Sequence, residues 1–574
     1  MNDFGKIFEK LKEKRYRPRV RVIGQSSPVV TALICLAITL LVGAVYFYVA
    51  LPAINLRNRG LYTLLIGLSA LYVVLMTVFG HSEPVYGSTK SKIIRYTFRR
   101  PVAAVIIILS VAALIVGSFI GFPLFRAKDY SNILTLKNGD FAADVNEIDW
   151  EQIPLLDSDS ANRLANRKLG ELSDLVSQFT VSEDSAQINY KNTPVRVTYL
   201  DYSGFFKWIS NQNEGIPAYM SIDMRTQEVS VVRLEDGMKY SPSEYFGRDL
   251  MRHLRFSYPT FMFNDVNFEV DDKGTPYWIA SVETKTIGLF DGTDITGAVI
   301  LNAVTGESKY YEAGDIPAWV DRVYNSDLLI EQYDYTGLYT NGFFNSLFNQ
   351  SGCTATTEGY NYVVLEDDVW MYTGVTSVTS DEGNIGFILV NQRTKEAKYY
   401  SCAGAEEYSA KDSAEGAVQQ YGYVSTFPLL LNISDQPTYF MALKDSAGLV
   451  KMYAMVNVQQ YQLVSTGYTL NECQENYMKL LRDNGLANGE SDIDDDKPAA
   501  ELQSISGVIT DIRQANIDGN TVYYLLLEGS DVYYTVSAKD FPESPLLNVG
   551  DAVTVEYYPA EGAIIKAESL SVEK

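Results

Sequence analysis

Histidine is nearly missing from this chain, with two among 574 residues, His81 and His253. The usual histidine-rich zinc centre cannot be built from so few imidazoles, and a Ser-His-Asp or Cys-His site would have to use His253. His81 falls at the inner end of an apolar run. His253 sits among Arg252, Leu254 and Arg255 on a predicted helix and reads as a partly exposed structural residue. Cysteine is nearly as scarce. Cys35 lies inside an apolar run, and Cys353, Cys402 and Cys473 fall outside the runs. Cys353 and Cys402 flank one group of strands, so a disulfide between them would suit an oxidising exterior. Buried thiols fit such sparse use as well, and the reading leans to thiols. No G-x-S-x-G, P-loop or H-E-x-x-H pattern occurs. The only Ser-x-x-Lys beyond the apolar runs, Ser571 to Lys574, is at the chain terminus.

Basic residues are the third shortage. Of 47 Lys and Arg, 17 fall in the first 128 residues beside only 4 acidic ones, leaving 30 basic against 67 acidic residues in the rest. A long region near −37 repels a nucleic-acid backbone. Such charge serves solubility or attraction to cations and basic surfaces.

What is present begins with three apolar runs, 29–51, 61–79 and 102–122, each free of charge and long enough to cross a bilayer as a helix. None shows the polar stripe of a core helix. A cleaved signal peptide is a poor account of the first run, which is too long and is followed by two more. The tail 1–27 carries eight Lys or Arg, and residues 80–100 carry Lys90, Lys92, Arg95, Arg99 and Arg100. The first loop holds only Arg57 and Arg59. The positive-inside rule therefore places the tail and second loop in the cytoplasm and everything after residue 125 outside. Residues 1–27 form a cytoplasmic basic tail and 28–125 a three-helix transmembrane region. The opening FGKIFEKLKEK is suited to a short amphipathic helix on the inner leaflet.

Beyond the membrane, residues 126–160 read as a polar connector. Helical spacing recurs at 161–179 (with Ser160 as N-cap), 243–256, 315–332 (with Pro317 near its start), 410–421 and 470–483. Strand patterns fill the intervals, and one phrase is repeated. Residues 297–311 read GAVILNAVTGESKYY and residues 386–400 read GFILVNQRTKEAKYY, with Gly, Asn, Thr, Glu, Lys and Tyr-Tyr at the same offsets. Fainter copies lie at 218–232 and 452–464, aligning Asp223, Asn302, Asn391 and Asn457. Asn or Asp caps such a turn through its side chain. Units of this size are small α+β repeats whose cores are completed by neighbours.

A strand ending in Asn or Asp, then x-x-Thr-Gly-Glu and a second strand, resembles the PepSY module of bacterial envelope proteins. AVILNAVTGESKYY matches best, with Asn302 where the module usually has Asp. Lys395 replaces the turn glycine in the third copy, and the fourth lacks the Thr and Glu. The resemblance covers the repeat region 161–485. It implies inhibition, chaperoning or sensing of other proteins outside the membrane, without catalytic residues.

Residues 486–501 form an acidic linker. Its Asp492, Asp494, Asp495 and Asp496 lack the Gly and distal Glu of an EF-hand loop. Residues 502–574 show five alternating strands, with Ile517-Asp518-Gly519-Asn520 as a hairpin turn, and resemble an OB-fold barrel. OB folds that bind single strands use basic grooves, and this domain has four basic residues, Arg513, Lys539, Lys566 and Lys574. It reads as protein- or glycan-facing. Glu366-Asp367-Asp368 beside Trp370 is the place to look for a sugar or Ca²⁺ site, with an exposed turn as the commoner role of such a cluster.

The expected fold class is therefore α+β: three N-terminal transmembrane helices, tandem PepSY-like helix and antiparallel-sheet repeats, then a small OB-like β-barrel. The expected function is a membrane-anchored extracytoplasmic scaffold, sensor or modulator, not an enzyme, with no catalytic, cofactor or metal residues assigned. Its partners are the lipid bilayer and an envelope protein captured by strand addition, and no nucleic acid. The alternatives are a carboxylate-dependent cell-wall glycan enzyme and an accessory subunit of a transport or secretion complex.

Overall fold

The computed structural model describes residues 28–79, 101–487 and 503–572, apart from 149, 366, 518–519, 531, 539–540 and 558–563. The basic tail, His81, Glu366, Lys539, the aspartates of the linker and the Asp518-Gly519 turn lie outside the described residues. The chain divides into two units, residues 1–487 and 488–574.

The three apolar runs are helices: α1 (Pro28–Ala50), α2 (Arg59–Phe79) and α3 (Pro101–Ile120). Each is long and apolar enough to span a bilayer, and most of its side chains face outward, as suits a lipid solvent. The α2 helix packs against both α1 and α3.

Four antiparallel sheets follow, one for each copy of the repeated phrase. The first sheet comprises Phe179–Asn189, Pro194–Tyr202, Ile216–Asp223 and Val229–Met238. The second comprises Met262–Val270, Pro276–Ile287, Asp291–Asn302 and Ser308–Glu312. The third is built around Asp368–Ser377, Ser380–Asn391 and Ala397–Gly404, and the fourth around Gln436–Lys444, Val450–Asn457 and Val464–Gly467.

The turn that ends the third strand is built the same way four times. Asn302 Oδ1 accepts the backbone N–H groups of Val304 and Thr305, both at 2.9 Å, and Asn391 Oδ1 those of Arg393 and Thr394, also at 2.9 Å. Asp223 does so for Arg225 and Thr226, and Asn457 for Gln459 and Gln460. In three copies the Thr hydroxyl then accepts the N–H of the Glu two residues on. The residue four after the Asx is left-handed, with φ of +63° at Gln227, +78° at Gly306 and +65° at Lys395. That geometry explains why glycine serves best there. Because an Asp fills the role in the first copy, Asn302→Asp should leave the thermal midpoint nearly unchanged. Asn302→Ala should cost about 1 kcal/mol by stranding two turn donors, measurable as a lower midpoint of the purified chain.

Alternation along the strands explains why the phrases AVIL and FILV are wholly apolar. Trp278 and Val299 face a core shared with the first sheet, where Trp278 meets Tyr199 and Phe268 edge-on. Their neighbours Ile279, Ala298 and Ile300 face a different core, shared with Met371, Ile388 and Val390 of the third sheet. Tyr372, Phe387 and Leu389 face the fourth sheet, against Tyr439 and Met441. The two middle sheets are thus buried on both faces, which removes the polar half of the usual alternation. Each repeat completes its core on its neighbours, as expected.

Several helix limits differ from the sequence reading. The first repeat helix is Ser158–Gly170, capped by Asp157, whose side chain accepts the N–H of Ser160; residues 171–178 are turns. Residues 243–256 give a short 3-10 turn and a helix at Leu250–Ser257, capped by Asp249. The helix expected at 315–332 lies at Ser326–Tyr339 with Asn325 as cap. Pro317 misled as a start signal because residues 316–325 are held by distant partners: Glu269 takes the N–H of Asp321 and Arg322, and the Gln392 carbonyl takes those of Val323 and Tyr324. The expected connector carries a helix at Pro123–Ser131 and a strand at Leu136–Asn138, which pairs in parallel with the third sheet. All four cysteines are free and buried, so Cys353 and Cys402 form no disulfide.

The second unit is a closed five-stranded barrel: Gln503–Ile517, Asn520–Leu527, Tyr533–Ser537, Ala552–Tyr557 and Ile564–Val572. In chain order its strands run 1-2-3-5-4 around the barrel, closed by pairing of the first with the fourth. Leu525, Val536, Val555 and Ala567 fill its interior.

Candidate functional site: the junction of spans and repeats

The second sheet reaches into the ends of the spans. Its central hairpin, Pro276–Ile287 and Asp291–Asn302, turns through Gly288-Leu289-Phe290, an apolar tip where a surface turn would be polar. Phe290 is 5 % exposed and meets the Tyr62 ring of α2 edge-on at 5.6 Å. The backbone of Gly117 in α3 leaves room for it: a Cβ there would lie 2.4 Å from the Phe290 ring. Gly288 likewise backs directly onto Gly121. The tip is therefore a wedge seated between α2 and α3, closed on its open side by Arg59, which pairs with Asp291 at 3.0 Å.

Around the wedge, arginines stitch the other elements together. Arg255 is 5 % exposed; its Nε donates to the Leu51 carbonyl at the end of α1 (2.9 Å), and Nη1 to the Phe261 carbonyl. Arg252 donates to the Tyr48 carbonyl and lies over the Tyr48 ring at 4.4 Å. Arg57 donates to Thr284 and to the Lys285 carbonyl. Carbonyls at a helix end lack intrahelical donors, and guanidinium groups satisfy them well. On the α3 side, the Tyr130 hydroxyl donates to the Gly121 carbonyl, and its ring packs on Tyr335 and Tyr339. The loop after α1 and the repeats therefore share one side of the spans. Large apolar side chains stand exposed beside this junction: Phe246, whose carbonyl accepts from Arg252, at 59 %, and Phe344, packed on the Phe343 ring that meets Phe122, at 65 %.

From sequence, Arg57 and Arg59 entered only as loop charges and Arg252 and Arg255 only as the helix neighbours of His253; the rest were not singled out. The available signal was the Ile-Gly-Leu-Phe run at a hairpin turn, apolar where exposure would favour polarity. The residues that were singled out are placed elsewhere. Asp368 is ion-paired with Arg393 at 2.7 Å and accepts from Asn391, while Asp367 accepts from Asn189. Trp370 is buried in the core shared with the fourth sheet. The carboxylates thus secure the third turn to its neighbours. His253 has Nε2 3.1 Å from the Gly306 carbonyl and its ring against Tyr240, holding the second turn. Burial pushes the Cys402 thiol up to about 11 and the Cys473 thiol up to about 12. At neutral pH neither is a nucleophile. Among the described residues no three His, Cys, Asp or Glu side chains form a metal-holding group.

No family model matches the chain. No curated protein matches it in sequence. Among solved structures, one of Bifidobacterium bifidum described as an exo-β-1,3-galactanase is similar at 9% identity and a TM-score of 0.17, covering 52% of this chain and 74% of that one. An exo-β-1,3-galactanase of Phanerochaete chrysosporium with β-1,3-galactotriose is similar at 10% identity and a TM-score of 0.16, covering 69% and 76%. Likeness at these scores carries no inference about fold or activity.

Proposed function

We propose that this chain is a membrane-anchored, non-catalytic extracytoplasmic scaffold, sensor or modulator of other envelope proteins. The observation that carries this reading is the wedge. With Phe290 seated between α2 and α3 and Arg255 bonded to the end of α1, a partner that shifts the repeats must also shift the spans. Such coupling is what a sensor or modulator needs, and a tethered enzyme domain does not require it. The basic tail and second loop favour a cytoplasmic N-terminus with the repeats outside. The helix-then-hairpin units with Asx-capped turns support the PepSY-like reading. The 1-2-3-5-4 closed barrel supports the OB-like reading, and its acidic setting favours a protein or glycan partner over nucleic acid.

Crosslinking of the full chain in its native membranes, followed by mass spectrometry, should recover a stable envelope protein bound to the repeats or spans. Recovery of none would sink the scaffold reading. Asp367→Asn should leave cell-wall hydrolysis by the cells unchanged. The wedge has its own test. A Cβ on Gly121 would lie 3.3 Å from the Asp291 Cβ, near the separation a disulfide spans. The pair Gly121→Cys and Asp291→Cys should therefore crosslink in membranes under mild oxidation. Peptide mapping that finds both thiols free would show that the tip is not seated there.

A further inference from the structure

Where the first sheet, the approach to the third sheet and the fourth sheet converge, they enclose a cavity of about 400 Å³. Two arginines 126 positions apart line it, Arg196 from the first sheet and Arg322 from the loop before Ser326–Tyr339. Arg196 is only 6 % exposed; its Nη1 donates to Ser185 at 3.3 Å, and its Nε has no acceptor. Arg322 donates to the Tyr362 hydroxyl at 3.5 Å and lies over that ring, and among the described residues its Nε is likewise buried without an acceptor. Gln187, 2 % exposed, lines the same cavity with its amide nitrogen unpartnered.

The three orphans have one thing in common: all are donors, and two belong to cations. Buried donors are satisfied in nearly every native structure, and buried cations are paired. Here the nearby carboxylates are engaged elsewhere. Asp157 is paired with Lys444 at 2.7 Å, Glu269 holds the backbone of Asp321 and Arg322, and Asp265 accepts from Val266 and Asn267. Among the described residues neither guanidinium has a carboxylate oxygen within 4.0 Å. Burial lowers the pKa of Arg196 to about 10, opposed by Tyr362 and Asp157 and helped by the like charge of Arg322. For Arg322 the lowering by burial is outweighed by Tyr362, Asp265 and Glu269, which raise it, so both remain cationic at neutral pH. Asp157 lines the cavity, but its oxygens are taken by Lys444 and the Ser160 N–H, so among the described residues no free acceptor of opposite charge faces the two Nε groups.

We propose that this cavity binds a small organic anion, whose carboxylate or phosphate head takes the Nε donors of Arg196 and Arg322 and the amide of Gln187. A guanidinium fork matches either head in geometry. The rest of the lining is mixed: Asp157, Asn361 and Thr426 are polar, while Tyr360, Phe427 and Phe440 give it an aromatic side, and that side favours an anion with a flat apolar body over inorganic phosphate. The volume lies within the range of small-molecule sites, at its small end. This inference stands apart from the scaffold reading, since such a site would serve a sensor or any other chain.

The test is calorimetric titration of the full chain in lipid nanodiscs with benzoate, phenyl phosphate, inorganic phosphate and neutral benzamide. Benzoate or phenyl phosphate is expected to bind at or below about 1 mM, with benzamide and inorganic phosphate at least roughly tenfold weaker. Arg196→Met should weaken the organic anion by roughly tenfold or more. The ligand-free midpoint should hold or rise, because a buried unpaired cation is removed. Arg322→Met should weaken binding likewise. Absence of binding by both organic anions overturns the proposal, as does binding of inorganic phosphate as tight as theirs. So does an Arg196→Met chain that binds normally, or one that merely unfolds earlier while Arg322→Met binds as the parent does.

Discussion

Alanine at position 297 is expected to destabilise the repeat array by about 3 kcal/mol or more, the upper part of the range for overpacking a rigid site. Gly297 opens the clearest copy of the repeated phrase, and a Cβ there would lie 2.0 Å from the Tyr311 carbonyl oxygen, a backbone atom of the paired strand. The close approach has a cause. The register slips at Gly297 so that Thr296 is an extra residue in its strand, and the Tyr310 hydroxyl crosses over to donate to the Thr296 carbonyl at 3.0 Å. The third sheet repeats the arrangement: Gly386 sits at a slip in register, and Tyr399 donates to the Ile385 carbonyl at 3.2 Å. A bulge leaves one carbonyl unpaired, and the first tyrosine of the Tyr-Tyr pair supplies its donor. The recurring Gly and Tyr, thirteen positions apart, are thus two halves of one device. Gly386→Ala, whose Cβ would lie 2.5 Å from the Tyr400 carbonyl oxygen, should behave alike. Gly416→Ala, in the helix Glu407–Ala417 with nothing within 4 Å of its Cβ, should instead raise the midpoint slightly. Thermal unfolding of the three purified variants decides the matter; a neutral Gly297→Ala would refute the close approach.

Acidification from about pH 8 to about pH 5.5 is expected to stabilise the repeats by about 2 kcal/mol through one buried carboxyl. Glu269 has no exposed surface. Burial raises its pKa from 4.5 to about 7, against the lowering effect of the Asp321 and Arg322 backbone donors and the Arg322 charge. Asp321, also buried, is raised by burial and by Glu269 beside it. A carboxyl raised in this way keeps its proton in the folded chain while the unfolded chain has released it. Stability therefore falls as pH rises between about 4.5 and 7, the reverse of a salt-bridged carboxylate. Glu269→Gln should flatten that slope while lowering stability throughout, because one of the two backbone donors then faces an amide nitrogen. Denaturant midpoints across the range report the slope, and a parent chain most stable at the alkaline end would overturn the assignment.

Much of the architecture was legible from local chemistry. The spans declare themselves because a lipid-facing helix needs no polar side. The four turns declare themselves because an Asx cap is made within a few residues of its own side chain, so Asp223, Asn302, Asn391 and Asn457 align even where the rest of the phrase has drifted. The barrel strands were legible because only one face of each is buried, leaving a clean alternation. The helix at Ser326–Tyr339 was misplaced because Pro317 gives a local start signal that Glu269 and Gln392, distant in sequence, override.

The sites were not legible, and the reason is physical. Arg196 reads as the polar, outward residue of an alternating strand, and Arg322 as a charge on the helix expected at 315–332. Only the packing of the first, third and fourth sheets turns them into two cations facing one cavity. Phe290 reads as a misplaced apolar turn residue until the span ends are seen around it. The sequence by itself determined the spans, the number of repeats and the chemistry of the turns, since each depends on contacts within a few residues. The wedge, the arginine cavity and the buried Glu269 were decided by tertiary structure alone, because burial and charge pairing depend on which distant surfaces meet.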